Sequence, residues 1–214
     1  MLFPTYVVDN FLEDPYQVSN LASTLQYKED PEGRWPGKRS EDLFKIEPVF
    51  FDFICNKIMR LLYPYNISDI RWNANSNFQI FNGKKNNHEG WIHKDAACQL
   101  SAILYLSHHK GCGTSLFKPK NFVGSFGAQI NEIKKEYHSQ NKKFDDRYFK
   151  ALKDNNFRFE KTLETESVFN RLFLFDSHQW HGANGFKEGR LTLVVFFNAI
   201  FGKNIKYPIP EMRR

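Results

Sequence analysis

Short segments of alternating or continuous apolar residues, separated by turns rich in Gly, Asn and Lys, dominate the chain from residue 69 to residue 201. They cover residues 69–81, 90–95, 98–107, 114–118, 170–176 and 189–201. Segments of this length and pattern are typical of β-strands. The 22 Phe residues suit broad sheet surfaces. The pattern therefore predicts a mainly β sandwich or barrel with flanking helices.

Residues 1–68 are predicted to form an N-terminal helical support for this core. A short strand is expected within 3–12, ending at Asp9–Asn10. A helix over 14–27 follows, with Asp14 as its N-cap and Pro15 at its first position. Residues 28–42 are rich in Pro, Gly and charge and read as a long loop, either functional or a simple connector. The apolar spacing over 48–63 predicts a second helix.

The charged stretch 128–155 has a helical pattern and interrupts two blocks of strands, so we interpret it as a helical insertion into the core at 69–201. The tail 206–214 is expected to be irregular. The whole chain, 1–214, is expected to form a single domain, because its length suits one large β domain better than two small ones.

Charge and cysteine content limit the classes of partner and compartment. The net charge of +6 suits an acidic partner such as nucleic acid, but the Lys residues are mixed with acidic ones, which favours a solvated surface. Three Cys are too few and too scattered for a disulfide framework. We recognise no signal peptide and no apolar stretch long enough to span a bilayer. These features predict a cytoplasmic protein without membrane contact; they leave its oligomeric state open.

His93 and Asp95 form the most informative pair of polar residues. In a strand, residues i and i+2 point to the same side, so an imidazole and a carboxylate would lie together, ready to share a metal ion. The triplet alone is a weak signal, because such a pair is also a common structural contact. It is strengthened by the apolar strand that follows at 98–107.

A third ligand is expected from a distant strand. His181 follows the predicted strand 170–176, and nine residues later Arg190 opens the strand 189–201. Arg190 and Thr192 share one side of that strand, where an Arg beside a hydroxyl can bind a carboxylate. Two His and one carboxylate form the facial triad of non-haem iron(II) oxygenases. His178 competes with His181 for the distal position, and the step to Arg190 favours His181.

The order His-x-Asp, distal His, then Arg-x-Thr resembles the iron(II)/2-oxoglutarate-dependent dioxygenases, in particular the prolyl 4-hydroxylase-like branch. The segments AILYLS (102–107), GCGTSLF (111–117) and NRLFLFDS (170–177) also resemble core strands of that branch. The resemblance covers roughly residues 70–125 and 165–200. It implies a double-stranded β-helix, a cupin-like jelly roll, with His93, Asp95 and His181 as iron ligands. It further implies that Arg190, Thr192 and Tyr105 bind the distal carboxylate of 2-oxoglutarate.

The activity implied by this resemblance is hydroxylation of a C–H bond with O2, during which 2-oxoglutarate becomes succinate and CO2. A protein or peptide residue is the expected substrate; a free amino acid, another small molecule and a nucleobase stay open. Trp91, Trp180, Gln79 and Arg39 are candidate substrate-pocket residues. Two other hypotheses remain: a cupin-like metal-binding jelly roll without 2-oxoglutarate chemistry, and a basic nucleic-acid-binding β domain.

Overall fold

The computed structural model describes residues 3–32, 35–65, 67–81, 88–95, 97–120, 132–133, 135–137 and 145–202. Within these residues, ten strands form two antiparallel sheets. The strands are β1 (Tyr6–Val8), β2 (Lys28–Glu29), β3 (Lys38–Arg39), β4 (Ile70–Phe81), β5 (Leu100–Tyr105), β6 (His109–Pro119), β7 (Phe159–Ser167), β8 (Arg171–Asp176), β9 (Trp180–Ala183) and β10 (Arg190–Gly202). The larger sheet has the order β1-β8-β5-β10-β4-β3-β2, and the smaller sheet has the order β7-β6-β9.

The helices lie where the sequence predicts most of them. They are α1 (Pro15–Thr24), α2 (Leu43–Ile46), α3 (Pro48–Leu62), a 3₁₀ turn (Ile67–Asp69) and α4 (Asp146–Asn156). Asp14 caps α1, since its carboxylate accepts a hydrogen bond of 3.1 Å from the backbone N–H of Gln17. Both α1 and α3 begin with Pro, which needs no N–H partner there.

The larger sheet has two differently packed faces. Leu100, Ala102 and Leu104 of β5 join the cluster that contains the buried face of α3, including Ile54 and Ile58. The residues between them on β5 point the opposite way. There, Tyr105 packs with Phe173 and Phe175 of β8 and with Leu116 of the smaller sheet. One face of the sheet is thus supported by helices, and the other faces the second sheet.

The strands differ from the prediction at four places. Residues 90–95 form no strand; a single bridge joins His93 to His181. Within the predicted loop 28–42, β2 and β3 extend the larger sheet. The strand β7 was not predicted. Most of its residues (FEKTLETES) are polar, so the sequence shows no clear alternation of apolar and polar positions. The strand β9 is only four residues long.

The predicted insertion is helical where the structure describes it, at 132–133, 135–137 and α4, which extends to Asn156. The remainder of 128–155 and the tail 206–214 lie outside the described residues. Among the helices in the described part of the chain, none has the length and apolar character needed to cross a membrane.

Candidate metal centre and its cavity

A cavity of about 290 Å³ lies between the two sheets. Four alternate residues of β10, at positions i, i+2, i+4 and i+6, line its floor, as expected for one face of a strand. They are Arg190, Thr192, Val194 and Phe196. The further lining residues are Trp35, Pro36, Arg39, Gln79, Gly90, Trp91, His93, Asp95, Ser101, Ile103, Thr114, Tyr148, Phe175, His181, Ala183 and Phe186.

His93, Asp95 and His181 converge at this cavity. One potential ligand atom from each lies within 4.8 Å of the others. The Nε2 atom of His93 is 3.5 Å from one carboxylate oxygen of Asp95, and Nε2 of His181 is 3.3 Å from the other. Backbone pairing sets this arrangement, because His93 and His181 exchange two N–H to carbonyl hydrogen bonds of 2.9 Å.

The tautomer of both histidines is fixed by the backbone. Nδ1 of His93 lies 2.8 Å from the carbonyl oxygen of Trp91, and Nδ1 of His181 lies 2.9 Å from that of Gln179. Since a carbonyl only accepts, each Nδ1 carries the proton and each Nε2 keeps its lone pair. The two Nε2 atoms are also the atoms that lie beside the Asp95 carboxylate, so all three could bind one metal ion. Metal-binding histidines are commonly oriented by such second hydrogen bonds. Two imidazoles and one carboxylate are a donor set suited to a divalent transition metal.

Asp95 is held as a carboxylate. Burial alone would raise the pKa of Asp95, but when His181 and His93 are also protonated at Nε2, their hydrogen bonds and positive charges outweigh burial and lower it overall. The hydroxyl of Ser101 donates a further hydrogen bond of 3.4 Å to the Asp95 carboxylate. Ser101 lies 2.8 Å from the hydroxyl of Ser177, so a buried pair of hydroxyls supports the acid.

The segment that carries His93 is supported by α4 as well as by its backbone hydrogen bonds to β9. The side chain of Asn156 accepts from the backbone N–H of Ile92 at 3.0 Å and donates to the carbonyl of Gly90 at 2.9 Å. Asn155 donates to the carbonyl of Ile92 at 3.1 Å. These amides satisfy backbone groups that a neighbouring strand would otherwise pair. The predicted insertion therefore builds one side of the candidate centre.

Arg190 and Thr192 line the same cavity as the three residues of the centre. Arg190 is buried, and its Nε donates a hydrogen bond of 2.8 Å to the carbonyl of Cys112, which fixes the plane of the guanidinium. Burial lowers the pKa of Arg190. The Oγ1 atom of Thr192 is fully buried and has no hydrogen-bond partner among the described residues. Such an atom beside an arginine suits an anionic ligand.

Tyr105 lies beneath the cavity instead of lining it. Its hydroxyl donates a hydrogen bond of 2.8 Å to the hydroxyl of Thr114, which does line the cavity. Burial raises the pKa of Tyr105. Tyr105 is thus connected to the cavity through Thr114, and its contact with a bound carboxylate stays a prediction.

Three of the four predicted pocket residues line the cavity: Trp91, Gln79 and Arg39. Trp180 does not; its ring packs 4.7 Å from that of Phe159, with the Lys94 ammonium 4.9 Å from its centroid. The reason is alternation, because His181 of β9 faces the cavity and its neighbour must face away. His178 lies outside the ligand group, with its Nδ1 atom 3.5 Å from the carboxylate of Asp176.

Sequence reasoning missed several lining residues. Val194 and Phe196 follow from the alternation that already paired Arg190 with Thr192. The remainder carry no local signal, because long-range packing brings them to the cavity. They are Ser101, Thr114, Tyr148 and Phe186, among others.

The fold is that of the 2-oxoglutarate/iron(II) oxygenases, and the predicted jelly roll is confirmed. HygX from Streptomyces hygroscopicus, solved with nickel and 2-oxoglutarate, superposes with a TM-score of 0.57 at 12% identity over 98% of this chain and 89% of HygX. The epimerase SnoN, solved with Fe3+, alpha-ketoglutarate and nogalamycin RO, gives 0.50 at 11% identity over 93% and 81% of the two chains.

A Pseudomonas putida prolyl-4-hydroxylase superposes with a TM-score of 0.48 at 14% identity, covering 91% of this chain and 92% of that enzyme. This value is too low to place the chain in the prolyl branch, which stays a prediction. None of the curated proteins matches the sequence. Residues 3–197 match DUF6445, a family of unknown function, and the chain belongs to that family.

Proposed function

We propose that this protein is an iron(II)- and 2-oxoglutarate-dependent oxygenase. The observation that carries the proposal is one cavity that combines two kinds of site. His93, Asp95 and His181 converge on one side of it, and the buried Arg190 lies with the buried hydroxyl of Thr192 on its floor. A metal triad alone suits many reactions. A metal triad beside a buried site that can bind a carboxylate suits an oxo-acid co-substrate.

The residues of the chain suit both groups. Nε2 of His93, Nε2 of His181 and the Asp95 carboxylate would hold the iron, and Arg190 with Thr192 would hold the distal carboxylate of 2-oxoglutarate. Iron and the oxo-acid together would supply the oxidising power for a C–H bond, with O2 consumed and succinate and CO2 released. The protein would orient both ligands, and its aromatic walls at Trp91, Phe175 and Phe186 would limit the access of water.

Hydroxylation is the reaction that we propose, and a protein or peptide residue is the substrate predicted from the prolyl-branch resemblance. SnoN was solved in complex with nogalamycin RO, so the fold is also compatible with a small-molecule substrate. A free amino acid and a nucleobase remain alternatives.

A cupin-like metal site without oxo-acid chemistry is the second candidate. The buried charge of Arg190 argues against it, because burying a guanidinium without a function that needs it is costly. In such a protein, Arg190→Ala would leave the activity unchanged.

Calorimetry tests the proposed function. Anaerobic protein is titrated with a divalent metal and then with 2-oxoglutarate. We expect metal binding to be lost in His93→Ala and His181→Ala, and 2-oxoglutarate binding to weaken more than tenfold in Arg190→Gln. His178→Ala is the matched control, since His178 lies near the centre but outside the ligand group; it should bind both. Metal-independent binding of 2-oxoglutarate, or none at all, would refute the proposal.

A further inference from the structure

Three buried side chains connect the end of β8 to the candidate metal centre. Ser177 follows β8, Ser101 lies on β5, and Cys98 precedes β5. At most 5% of the surface of each residue is exposed. The Oγ atoms of Ser101 and Ser177 are 2.8 Å apart, and the sulfur of Cys98 lies 3.2 Å from Oγ of Ser177. Because Ser101 also contacts the carboxylate of Asp95, the group is joined to one of the three candidate ligands.

The carboxylate at one end gives these hydrogen bonds a single direction. An ionised carboxylate only accepts, so the bond of 3.4 Å from Ser101 to Oδ2 of Asp95 uses the one hydroxyl proton of Ser101. The proton between the two hydroxyls then comes from Ser177, whose oxygen accepts from the thiol of Cys98. Ser177 is nearer to that thiol than the carbonyl oxygen of Asp95, at 3.6 Å, or Oγ of Ser101, at 3.8 Å. We call this series, from Cys98 through Ser177 and Ser101 to Asp95, the donor chain.

Ser177 also fixes the main chain at the candidate ligand. The backbone N–H of Asp95 donates to the carbonyl of Ser177 at 3.0 Å, and the N–H of Ser177 donates to the carbonyl of Gln99 at 3.1 Å. Ser177 is therefore connected to Asp95 twice, directly at the backbone and through Ser101 at the carboxylate. Replacement of Ser177 by Ala would remove the second connection and keep the first, so the two connections can be separated by experiment.

The orientation of the Asp95 carboxylate decides whether the centre can form. The side chain of Asp95 is 26% exposed, and its two oxygens lie 3.5 Å from Nε2 of His93 and 3.3 Å from Nε2 of His181. Rotation of the carboxyl group would move either oxygen away from its histidine. The bond from Ser101 to Oδ2 opposes this rotation. Hydrogen bonds from outside the ligand group commonly orient the ligands of a metal centre in this way.

We propose that Ser101 is a positioning residue of the metal centre and that Ser177 and Cys98 act through it. Ser101 holds the Asp95 carboxylate in the orientation that faces both histidines, and the other two donors keep the Ser101 proton directed at Oδ2. The inference rests on the metal centre of the proposed function. A purely electrostatic role has the opposite consequence. A donor that only withdrew negative charge from the carboxylate would weaken its bond to a metal ion, so its removal would strengthen binding, whereas loss of a positioning residue weakens it.

Titration with cobalt(II) tests the proposal, because the visible bands of the bound ion report both occupancy and ligand geometry. We expect Ser101→Ala to weaken cobalt(II) binding about tenfold or more and to shift the bands at saturation. Ser76→Ala is the matched control, since Ser76 is also a fully buried serine of the larger sheet but does not line the cavity. It should bind cobalt(II) as the wild type does, with unchanged bands. Thermal melts of the metal-free proteins show whether each variant is folded.

A double-mutant cycle tests whether the donor chain acts through Ser101. Ser177→Ala should weaken cobalt(II) binding several-fold in the wild-type background. In the Ser101→Ala background it should have no further effect, because the connection to the Asp95 carboxylate is already lost. Cys98→Ala should weaken binding less than Ser177→Ala does, because Cys98 lies one step further from the carboxylate. Cys98→Ser should restore most of the affinity, since a hydroxyl there can still donate to Ser177.

Unchanged or tighter cobalt(II) binding in Ser101→Ala would overturn the proposal, and so would an equal loss from Ser177→Ala in both backgrounds. If Ser101→Ala does not fold, Ser177→Ala and Cys98→Ala decide, and normal binding in both would overturn it. Failure of the proposed function is recognised separately, because the wild type would then bind cobalt(II) no better than His93→Ala does, and the proposal would fall with it. Where the wild type binds and His93→Ala does not, a negative result concerns the donor chain alone.

Discussion

Thr192→Val is expected to change stability and ligand binding in opposite directions. The hydroxyl of Thr192 is fully buried without a hydrogen-bond partner among the described residues. Leaving a buried hydroxyl unsatisfied costs about 1–3 kcal/mol, and Val has nearly the same shape without that group. We therefore expect the ligand-free variant to be more stable by about 1 kcal/mol. For a chain of this length, that corresponds to a rise in Tm of about 2–4 °C.

The same substitution should weaken 2-oxoglutarate binding. If the hydroxyl donates to the bound carboxylate, its loss removes a hydrogen bond to a charged group, and we expect Kd to rise about tenfold. The assay is a thermal melt without ligands, followed by calorimetric titration of the metal-loaded protein with 2-oxoglutarate. Lower stability of the ligand-free variant, or an unchanged Kd, would refute the reasoning.

Thr165→Val is the matched control. The hydroxyl of Thr165 is also buried without a partner in the described part of the chain, but Thr165 lies on β7 and does not line the cavity. It should gain stability like the first variant and bind 2-oxoglutarate normally. A loss of affinity in this control would mean that the effect of Thr192→Val is indirect.

Three further predictions concern the framework. Asn156→Ala should weaken metal binding about tenfold while the protein stays folded, because it removes two hydrogen bonds that hold residues 90–92; unchanged metal affinity by calorimetry would contradict this. Gly113→Ala should prevent folding or lower Tm sharply, because a Cβ there would lie 1.7 Å from the carbonyl oxygen of Thr165; a normal melt would be evidence against the close strand approach. The hydrogen bond from Arg171 lowers the pKa of Asp9. The wild type should therefore be more stable than Asp9→Asn above pH 4, and this difference in the free energy of unfolding should disappear as the pH falls further and Asp9 is protonated. Urea titrations at several pH values measure it, and a difference that persists in acid would exclude this cause.

The floor of the cavity could be predicted well from the sequence. A long apolar strand opening with Arg190 has an obligatory alternation, so Thr192 had to share its face, and Val194 and Phe196 follow by the same rule. The two helices of the N-terminal region were predictable for similar reasons. Their apolar spacing and their Pro residues at the first helical position are local features.

The pairing of His93 with Asp95 was predicted from a strand that does not exist. The structure brings the two residues together all the same, because the backbone of residue 93 pairs with that of His181 and the N–H of Asp95 donates to the carbonyl of Ser177. A short extended segment can thus place residues i and i+2 side by side, as a strand does, without the continuous backbone pairing of a sheet.

Part of the cavity wall could not be predicted from local pattern. Tyr148 reaches the cavity because α4 docks against residues 90–92, and its hydroxyl accepts a hydrogen bond of 2.9 Å from the indole of Trp91, 57 positions away in the sequence. Such contacts depend on tertiary packing between polar segments. These segments show no periodic spacing of apolar residues from which the packing could be predicted.

Binding of iron and 2-oxoglutarate at one centre is the central claim, and an anaerobic optical titration tests it most directly. Iron(II)-loaded protein is titrated with 2-oxoglutarate while the weak visible charge-transfer band of the chelate is followed, and succinate is measured after oxygen is admitted. We predict a saturable band in the wild type, none in His93→Ala or His181→Ala, and saturation only at much higher 2-oxoglutarate in Arg190→Ala. A folded, iron-loaded wild type without the band would contradict the proposed function and favour a cupin-like metal-binding protein.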